Sequence, residues 1–350
     1  MTYERIMSRL PDLGKPISVK ESTTPVEILN LVGGNFIAAV ALVTPNSLEG
    51  LKLHKFDGRS AFFDNLKGFE FDEKASSELV PFPRFTPSDA TGFDRVVCLV
   101  FEDGNVEPVK AVGSKYTVFQ NESVANDGLE LAATSGTSTE IMSAGTHQDR
   151  RLFSLTIGYE VLSTIIDDKE IVFNQYATLF TSHNSTQAYG LAYSLLAQDE
   201  KMISFWRVHK IKHTKKIEER KAEVKSTLLG YNVEGKSFIA EVDLMGKVKL
   251  DKSGEQMQQL LEIAAVTPEG STKYNYDRRD WEKKKIAWLF KSTSVLHGSN
   301  GWAFYQALNQ FIFTHHTKGA MTLPITNLRE SHYEAQNRVK KFLIQAAIDK

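Results

Sequence analysis

Three successive segments in the middle of the chain alternate apolar with polar or small residues: 151–159, 170–182 and 187–196. Alternation with a period of two is typical of β-strands that bury one face. The stretches between them, 163–169 and 183–186, are short enough for hairpins. The pattern therefore predicts an antiparallel meander of at least three strands. The expected core-facing residues are Phe153, Leu155, Ile157, Val172, Tyr176 and Phe180, with Asn174 and Thr178 facing away.

Shorter apolar runs predict further elements ahead of the meander. Segments 93–101 and 115–120 are expected to be strands, joined through the turn residues 102–105. Asn121 is then expected to cap a helix over 122–133, because its side chain can accept a hydrogen bond from the first helical turn.

A basic segment follows the meander. Residues 205–225 contain eight Lys and Arg against three Glu. From about Lys210 the segment lacks Gly and Pro and is rich in Lys, Glu, Arg and Ala, which predicts a helix after a short strand over 202–208. Helical spacing places Lys212, Lys216 and Arg220 on one face. The alternative is a solvated helix whose charges form intrahelical ion pairs.

The C-terminal part of the chain is predicted to be mainly helical. A second basic cluster, 278–285, lies on a helix whose apolar face is expected to hold Trp281, Trp288 and Leu289. Residues 301–316 are apolar on nearly all sides, which predicts a buried central helix. A last helix is expected to extend to about residue 347.

These elements together predict an α+β protein with an antiparallel β-meander core, a long basic helix and a helical C-terminal half. We divide the chain into an acidic, Phe-rich region over 1–110, a sheet with the basic helix over 111–230, and a helical region over 231–350. The Phe residues of 45–92 are interspersed with Pro and Gly. They indicate a loop-rich layer that packs in the core or forms a surface for a partner.

The formal net charge of −1 hides a strong asymmetry along the chain. Residues 1–110 carry 12 Lys and Arg against 16 Asp and Glu, and residues 111–200 carry 4 against 11. Residues 201–350 carry 26 against 16. A basic last part beside an acidic first part indicates either a surface for a polyanion or a charge-matched contact between copies of the chain.

Cysteine content and hydropathy indicate the cellular compartment. Cys98 is the single cysteine and lies in an apolar run, so an intrachain disulfide is excluded and a buried thiol is expected. Neither an apolar signal segment nor a run of ~18 apolar residues is visible. We therefore expect a cytoplasmic protein without membrane contact.

Familiar catalytic patterns are absent. The chain has no Gly-x-Gly-x-x-Gly after a strand, no phosphate loop, no Gly-x-Ser-x-Gly and no His-Glu-x-x-His. His209 and His213 have helical metal-ligand spacing, but cations surround them and no acidic or thiol ligand is near. No catalytic residue, metal or cofactor is predicted, although an enzyme whose site leaves no motif stays open.

Nucleic-acid binding has better support. Phosphate contacts require several Lys or Arg on one side, and unpaired bases require aromatic faces for stacking. Each basic segment contains a tryptophan, Trp206 or Trp281, although each is also explained as a core residue. The predicted binding residues are Trp206, Arg207, Lys210, Lys212, Lys215, Lys216, Arg220, Lys221, Arg278, Arg279, Lys283 and Lys284.

Five short motifs occur in order along the chain: Lys115-Tyr-Thr-Val-Phe-Gln-Asn-Glu122, Arg150-Arg-Leu-Phe-Ser-Leu155, Leu179-Phe-Thr-Ser-His-Asn-Ser-Thr186, Ile211-Lys-His-Thr-Lys-Lys-Ile-Glu-Glu-Arg220 and Gly301-Trp-Ala-Phe-Tyr-Gln-Ala-Leu-Asn309. Their order resembles that in the phage- and plasmid-borne proteins called the domain of unknown function 932 family, over about residues 110–345. A Cys-Asn-x-Thr-Leu segment of that family is not evident here, and the first 110 residues match weakly. Because its members lie among mobile-element genes, the resemblance implies a role in DNA metabolism.

The predicted topology also suggests an analogy. A three-stranded meander followed by a long basic helix is similar to the core of single-strand annealing proteins of the Rad52 type. The expected function is non-catalytic binding or annealing of single-stranded DNA or RNA in phage or plasmid recombination or replication, by a homo-oligomer. The alternatives are an assembly protein whose acidic and basic parts pair between copies, and an anti-host-defence protein that binds a host enzyme.

Overall fold

The computed structural model of the chain describes residues 15–16, 24–42, 51–53, 79–80, 95–101, 106–112, 116, 118–134, 140–147, 152–183, 189–198, 202–211, 217–251, 254–267, 272–313 and 330–349. The strands are β1 (Lys15–Pro16), β2 (Ile37–Leu42), β3 (Leu51–Leu53), β4 (Leu79–Val80), β5 (Arg95–Val100), β6 (Val106–Val112), β7 (Glu140–His147), β8 (Leu152–Ile166), β9 (Lys169–Ser182), β10 (Tyr189–Ala197) and β11 (Met202–Ile211). The helices are α1 (Pro25–Val32), α2 (Asn121–Thr134), α3 (Ile217–Lys247), α4 (Glu255–Ala264), α5 (Lys273–His297), α6 (Gly301–Phe311) and α7 (Glu330–Ile348).

The predicted antiparallel meander is confirmed, and it is longer than expected. One six-stranded sheet has the order β1-β7-β8-β9-β10-β11, so its last five strands follow one another in the chain. Every neighbouring pair is antiparallel. A second antiparallel sheet has the order β4-β3-β2-β5-β6. The α+β class is therefore correct.

The core-facing side of β9 differs from the prediction. Ile171, Phe173, Ala177 and Leu179 are almost completely buried in the main hydrophobic core. The residues predicted to alternate on β9, from Val172 to Phe180, all have even numbers, so they lie on one face of the strand. Phe180 is nevertheless buried in the core as predicted, and Thr178 is buried as well, because both faces of this part of the sheet are covered.

Helices α2 and α3 pack on the same face of the six-stranded sheet. A Cβ on Gly128 of α2 would collide with Leu155, and a Cβ on Gly235 of α3 would collide with Tyr193. Strand register connects Leu155 to Leu191 through β9, and Leu191 lies two residues from Tyr193 on the same face of β10. Glycine in both helices permits this close approach of helix and sheet.

The predicted buried helix is confirmed as α6. It begins after Asn300, whose Oδ1 accepts a hydrogen bond from the backbone N–H of Ala303 at 2.9 Å. Trp302, Leu308 and Phe311 are completely buried, as predicted. The helix ends at Phe311, and residues 314–316 of the predicted span lie outside the described residues.

Replacing Leu308 by alanine is expected to lower the free energy of unfolding by about 2–5 kcal/mol, because a fully buried leucine loses its contacts and leaves a cavity. Urea unfolding followed by circular dichroism measures this. Leu229→Ala on α3 is the matched control, since Leu229 is 71% exposed and its loss should cost little. Equal midpoints for the two variants would contradict the burial of α6.

Ahead of the meander, the predicted strand over 93–101 and helix over 122–133 are confirmed as β5 and α2, whereas the predicted strand over 115–120 and the capping role of Asn121 are wrong. The strand that follows β5 in the chain and pairs with it is β6, which ends at Val112, and residues 118–120 are not in a strand. Asn121 is the first residue of α2 and its side chain does not act as the predicted cap. Its Nδ2 donates to the carbonyl oxygen of Gly34, and its Oδ1 lies 2.9 Å from Nε2 of His183. Most of the Phe-rich segment 45–92 lies outside the described residues.

The boundary between the last strand and the basic helix lies later in the chain than the sequence predicts. His209 and Lys210 continue β11, opposite Leu191 and Gly190 of β10, and α3 begins only at Ile217. Pairing with β10 satisfies the backbone hydrogen bonds of these residues and so overrides their helical propensity. His209 is therefore in a strand, and His213 lies outside the described residues. Helix α3 passes without interruption through residue 230, where we had divided the chain.

Candidate nucleic-acid interface

The first basic cluster is only partly described. Arg207 on β11 is engaged in intramolecular contacts. Its Nε donates to Oε2 of Glu234 at 2.7 Å, and its guanidinium lies 4.7 Å from the centre of the Phe205 ring. Lys210 is exposed on the same edge strand. Arg220 and Lys221 lie in the first turns of α3, but their side chains are outside the described set. The remaining predicted residues, Lys212, Lys215 and Lys216, lie outside the described residues altogether.

Trp206 does not fit the stacking role predicted for it. Its side chain is completely buried, with its ring 4.9 Å from that of Phe313 and 5.6 Å from that of Tyr333. The start of α7 and the end of α6 therefore cover this tryptophan at the edge of the sheet. No face of the ring is available to a base.

The second basic cluster lies on α5, whose orientation differs from the prediction. The helix begins after Thr272, whose Oγ1 accepts from the backbone N–H of Asn275 at 3.3 Å. Leu289 is buried as predicted, together with Ile286 and Phe290. The predicted apolar face also contained Trp281 and Trp288, but these side chains are 39% and 55% exposed. They lie on the opposite side because residues 282, 286, 289 and 293 already form the buried stripe.

A buried carboxylate, Glu282, fixes α5 to the end of α4. Its side chain is completely buried and accepts hydrogen bonds from the backbone N–H groups of Val266 and Thr267, both at 2.9 Å. It also accepts from the Thr267 hydroxyl at 2.6 Å and from Nε of Arg278 at 3.4 Å. The sequence does not indicate a special role for Glu282, because this residue stands among the cations of a basic cluster.

Two cations of the second cluster also connect α5 to the end of α4. Arg279 donates to the carbonyl oxygen of Thr267 at 2.8 Å and lies 3.5 Å from the carboxylate of Glu262. Lys283 donates to the same carboxylate at 2.5 Å, and this hydrogen bond is the main reason why the pKa of Glu262 is lowered. Arg279 and Lys283 are therefore poorly placed to contact a phosphate.

The exposed side of α5 combines aromatic residues with cations. Trp281, Trp288 and Val295 follow one another at intervals of seven residues, so they form one line along the helix. The guanidinium of Arg278 lies 4.5 Å from the centre of the Trp281 ring, and Nζ of Lys285 lies 4.0 Å from that of Trp288. Lys284 and Lys291 flank the line on its other side. We call these seven residues the α5 face.

The sequence predicts Arg278 and Lys284 of the α5 face as binding residues and leaves Trp281 open between stacking and the core. The Lys284 side chain is 77% exposed although it pairs with Asp280 at 2.7 Å. The sequence pattern places Trp288 in the core and does not indicate Lys285 or Lys291 as binding residues. The seven-residue spacing of Trp281, Trp288 and Val295 is a sequence signal that would have placed all three on one line.

The C-terminal end of α5 meets the tip of the β8–β9 hairpin. A shallow cavity of about 190 Å³ lies there, lined by residues that include Lys169 and Leu296. Asp167 at the tip accepts a hydrogen bond from Nζ of Lys249 at 2.6 Å, which is the main cause of its lowered pKa. Both tip residues, Asp167 and Asp168, have positive φ angles of 49° and 61°.

Other kinds of site find little support in the described residues. Among them, no group of three or more His, Cys, Asp or Glu side chains is placed to hold a metal ion. None of the described helices has the length and apolar character needed to cross a membrane. Cys98 is buried, as predicted, and burial raises the pKa of its thiol to about 12.

Comparison with known proteins identifies the family of the chain. No curated protein and no solved structure matches it, so the similarity to Rad52-type annealing proteins is not supported. One family model, described as Domain of unknown function (DUF932), matches residues 108–343. This range contains strands β7 to β11 and helices α2 to α6, and with them both basic clusters. Because the match covers more than half of the 350 residues, the chain belongs to the DUF932 family.

Proposed function

We propose that this protein binds single-stranded nucleic acid, without catalysis, through the α5 face. The observation that carries the proposal is the pair Trp281 and Trp288, both exposed on one helix and each with a cation beside its ring. Large aromatic side chains are normally buried or half-buried. Two on one exposed line, among lysines, are typical of a surface on which unpaired bases stack while cations contact phosphates.

The geometry of α5 favours a strand over a compact ligand. Trp281 and Trp288 are separated by two helical turns, about 10.5 Å along the axis at 1.5 Å per residue. Lys284 and Lys291 lie on one side of the aromatic line and Arg278 and Lys285 on the other. A strand that follows the helix would therefore contact cations on both sides. Stacking tolerates every base, so we expect weak sequence preference.

Lys285 has a double role in this proposal, whereas Arg278 is held by its hydrogen bond to the buried carboxylate of Glu282. A cation over an indole ring is attracted by the ring's electron-rich face, and it also keeps that side chain near the position of a passing phosphate. When a base displaces the cation from the ring, the cation remains within reach of the backbone of the bound strand.

The first basic cluster is included in the proposal because its sequence is rich in Lys and Arg. Phosphate contacts would be added by Lys212, Lys215 and Lys216, between β11 and α3, and by Arg220 and Lys221, in the first turns of α3. Arg207 is bound to Glu234, and we assign it no contact with the ligand. The proposal extends to DNA or RNA as ligand, to action in the cytoplasm during phage or plasmid recombination or replication, and to a homo-oligomer. Annealing of complementary single strands would be a further activity of the same protein.

The test is a fluorescence-anisotropy titration with a labelled single-stranded oligonucleotide over a series of salt concentrations. The wild type should bind with an affinity that falls as salt rises. The double variant Lys284→Ala/Lys291→Ala should bind more weakly, and its log–log salt slope should be flatter by about 1.4, at ~0.7 per lost phosphate contact.

A matched control is available elsewhere on the surface. Lys247 forms the same i,i+4 ion pair with Asp243, at 2.6 Å, that Lys284 forms with Asp280, and Lys341 is exposed like Lys291. Lys247→Ala/Lys341→Ala should bind as the wild type does. A wild type that shows no salt-dependent binding at 50 mM salt would contradict the proposal and favour the assembly alternative.

A further inference from the structure

We infer that the α5 face holds about six nucleotides. The bound strand is confined between two limits, the first turns of α5 at one end and the β8–β9 hairpin tip at the other. This inference rests on the proposed function and adds the length of the ligand and a third contact, Val295. The observations that carry it are the distribution of acidic residues around α5 and the exposure of its last two turns.

The positive surface of α5 has a defined length. Its first turns contain Asp277 and Asp280 beside Lys273, Arg278 and Arg279, whereas residues 283–297 contain four lysines and neither Asp nor Glu. At the other end, the helix meets the hairpin tip with Asp167 and Asp168. Cations pair with two of these carboxylates, since Asp280 contacts Lys284 at 2.7 Å and Asp167 contacts Lys249 at 2.6 Å. The carboxylates of Asp277 and Asp168 disfavour phosphates at the two ends, and the partial negative charge at the C-terminus of α5 has the same effect at that end.

Within these limits the apolar line continues beyond the tryptophans. Val295 is 83% exposed and its neighbour Leu296 is 55% exposed. Exposed positions near a helix end normally carry polar residues, so two large aliphatic side chains there are unusual. The seven-residue spacing puts Val295 two turns beyond Trp288, where a third base can contact it.

The length of the line sets the length of the ligand. From Trp281 to Val295 is 14 residues, or about 21 Å along the helix at 1.5 Å per residue. A stacked strand advances by about 3.4 Å per nucleotide, so about six nucleotides fit between the first and last contacts. A more extended strand would place fewer nucleotides over the same distance.

The experiment measures the affinity of oligothymidylates of increasing length at constant low salt. Affinity for the wild type should rise steeply up to about six nucleotides and then only by the statistical gain from overlapping positions. Val295→Gln should weaken binding of the hexamer about fivefold, since one apolar contact is lost, and should leave the trimer unchanged. Ile348→Gln on α7 is the control, because Ile348 is 64% exposed and lies on another helix.

A second variant tests the acidic boundary in the opposite direction. Asp168→Asn removes a charge at the hairpin tip, and asparagine tolerates the left-handed backbone at this position. It should raise the affinity for oligomers longer than eight nucleotides and not that for the trimer.

The proposed function and the inferred length of the ligand can be contradicted separately. If the wild type binds no oligomer of any length, the proposed function fails. If it binds, but affinity rises steadily beyond ten nucleotides and Val295→Gln behaves like Ile348→Gln, the site is not confined to the α5 face. The inferred length is then wrong while single-strand binding stands.

Discussion

Replacing both Trp281 and Trp288 by alanine is expected to lower the affinity for single-stranded nucleic acid between about thirtyfold and about 10⁴-fold. Each stacking contact between a base and an aromatic ring contributes ~1–3 kcal/mol by alanine substitution, and 1.4 kcal/mol corresponds to a factor of ten. The salt slope should change little, because the substitutions remove no cation. Stacking and phosphate contacts can thus be separated by comparison with Lys284→Ala/Lys291→Ala.

The single variants should differ in their effect on folding. Trp288 is 55% exposed, so Trp288→Ala should leave the free energy of unfolding nearly unchanged. Trp281 packs against Phe311 at 5.7 Å, and Trp281→Ala should therefore destabilise the protein moderately. Trp288→Ala is the cleaner test of binding. An affinity equal to that of the wild type in this variant would show that Trp288 does not contact the ligand.

Replacing Glu282 by alanine is expected to cost about 3–5 kcal/mol of the free energy of unfolding, the range seen when one partner of a buried charged group is removed. The variant leaves the N–H groups of Val266 and Thr267 without their acceptor, and each unsatisfied buried group costs ~1–3 kcal/mol. Glu282→Gln keeps one carbonyl oxygen as acceptor and should lose less.

Glu262 provides the control for Glu282. It lies in the same region and pairs with Arg279 and Lys283, but its side chain is 56% exposed. Exposed ion pairs contribute ~0–1 kcal/mol, so Glu262→Ala should have a small effect in the same urea titration. If Glu282→Ala were no more destabilising than Glu262→Ala, the connection between α4 and α5 would not depend on the buried carboxylate.

Local patterns sufficed for the parts of the fold that are held by near neighbours in the chain. The strands of the meander pair with the strand before or after them, and α6 is apolar on nearly all sides, so periodicity identified both. The extension of β11 through Lys210 could not be recognised this way. Its cations favour a helix locally, and the pairing with β10 is what keeps them in a strand.

Three of the tryptophans illustrate why burial is hard to assign from sequence. Trp206 stands beside a basic segment, yet Phe313 and Tyr333, more than a hundred residues later, cover it. Trp281 and Trp288 look like the apolar side of α5, yet Glu282 occupies the buried side because distant backbone N–H groups bind its carboxylate. Contacts made by residues far apart in the chain decided each case.

The central claim is that bases stack on the exposed tryptophans of α5. The chain has four tryptophans, and Trp206 and Trp302 are completely buried, so a base that quenches tryptophan fluorescence by direct stacking can reach only the two exposed ones. Titration with a single-stranded oligonucleotide at low salt should quench part of the wild-type fluorescence, and the quenching should disappear in Trp281→Phe/Trp288→Phe. Quenching that persists undiminished in this double variant, or binding of the wild type without any quenching, would contradict the account.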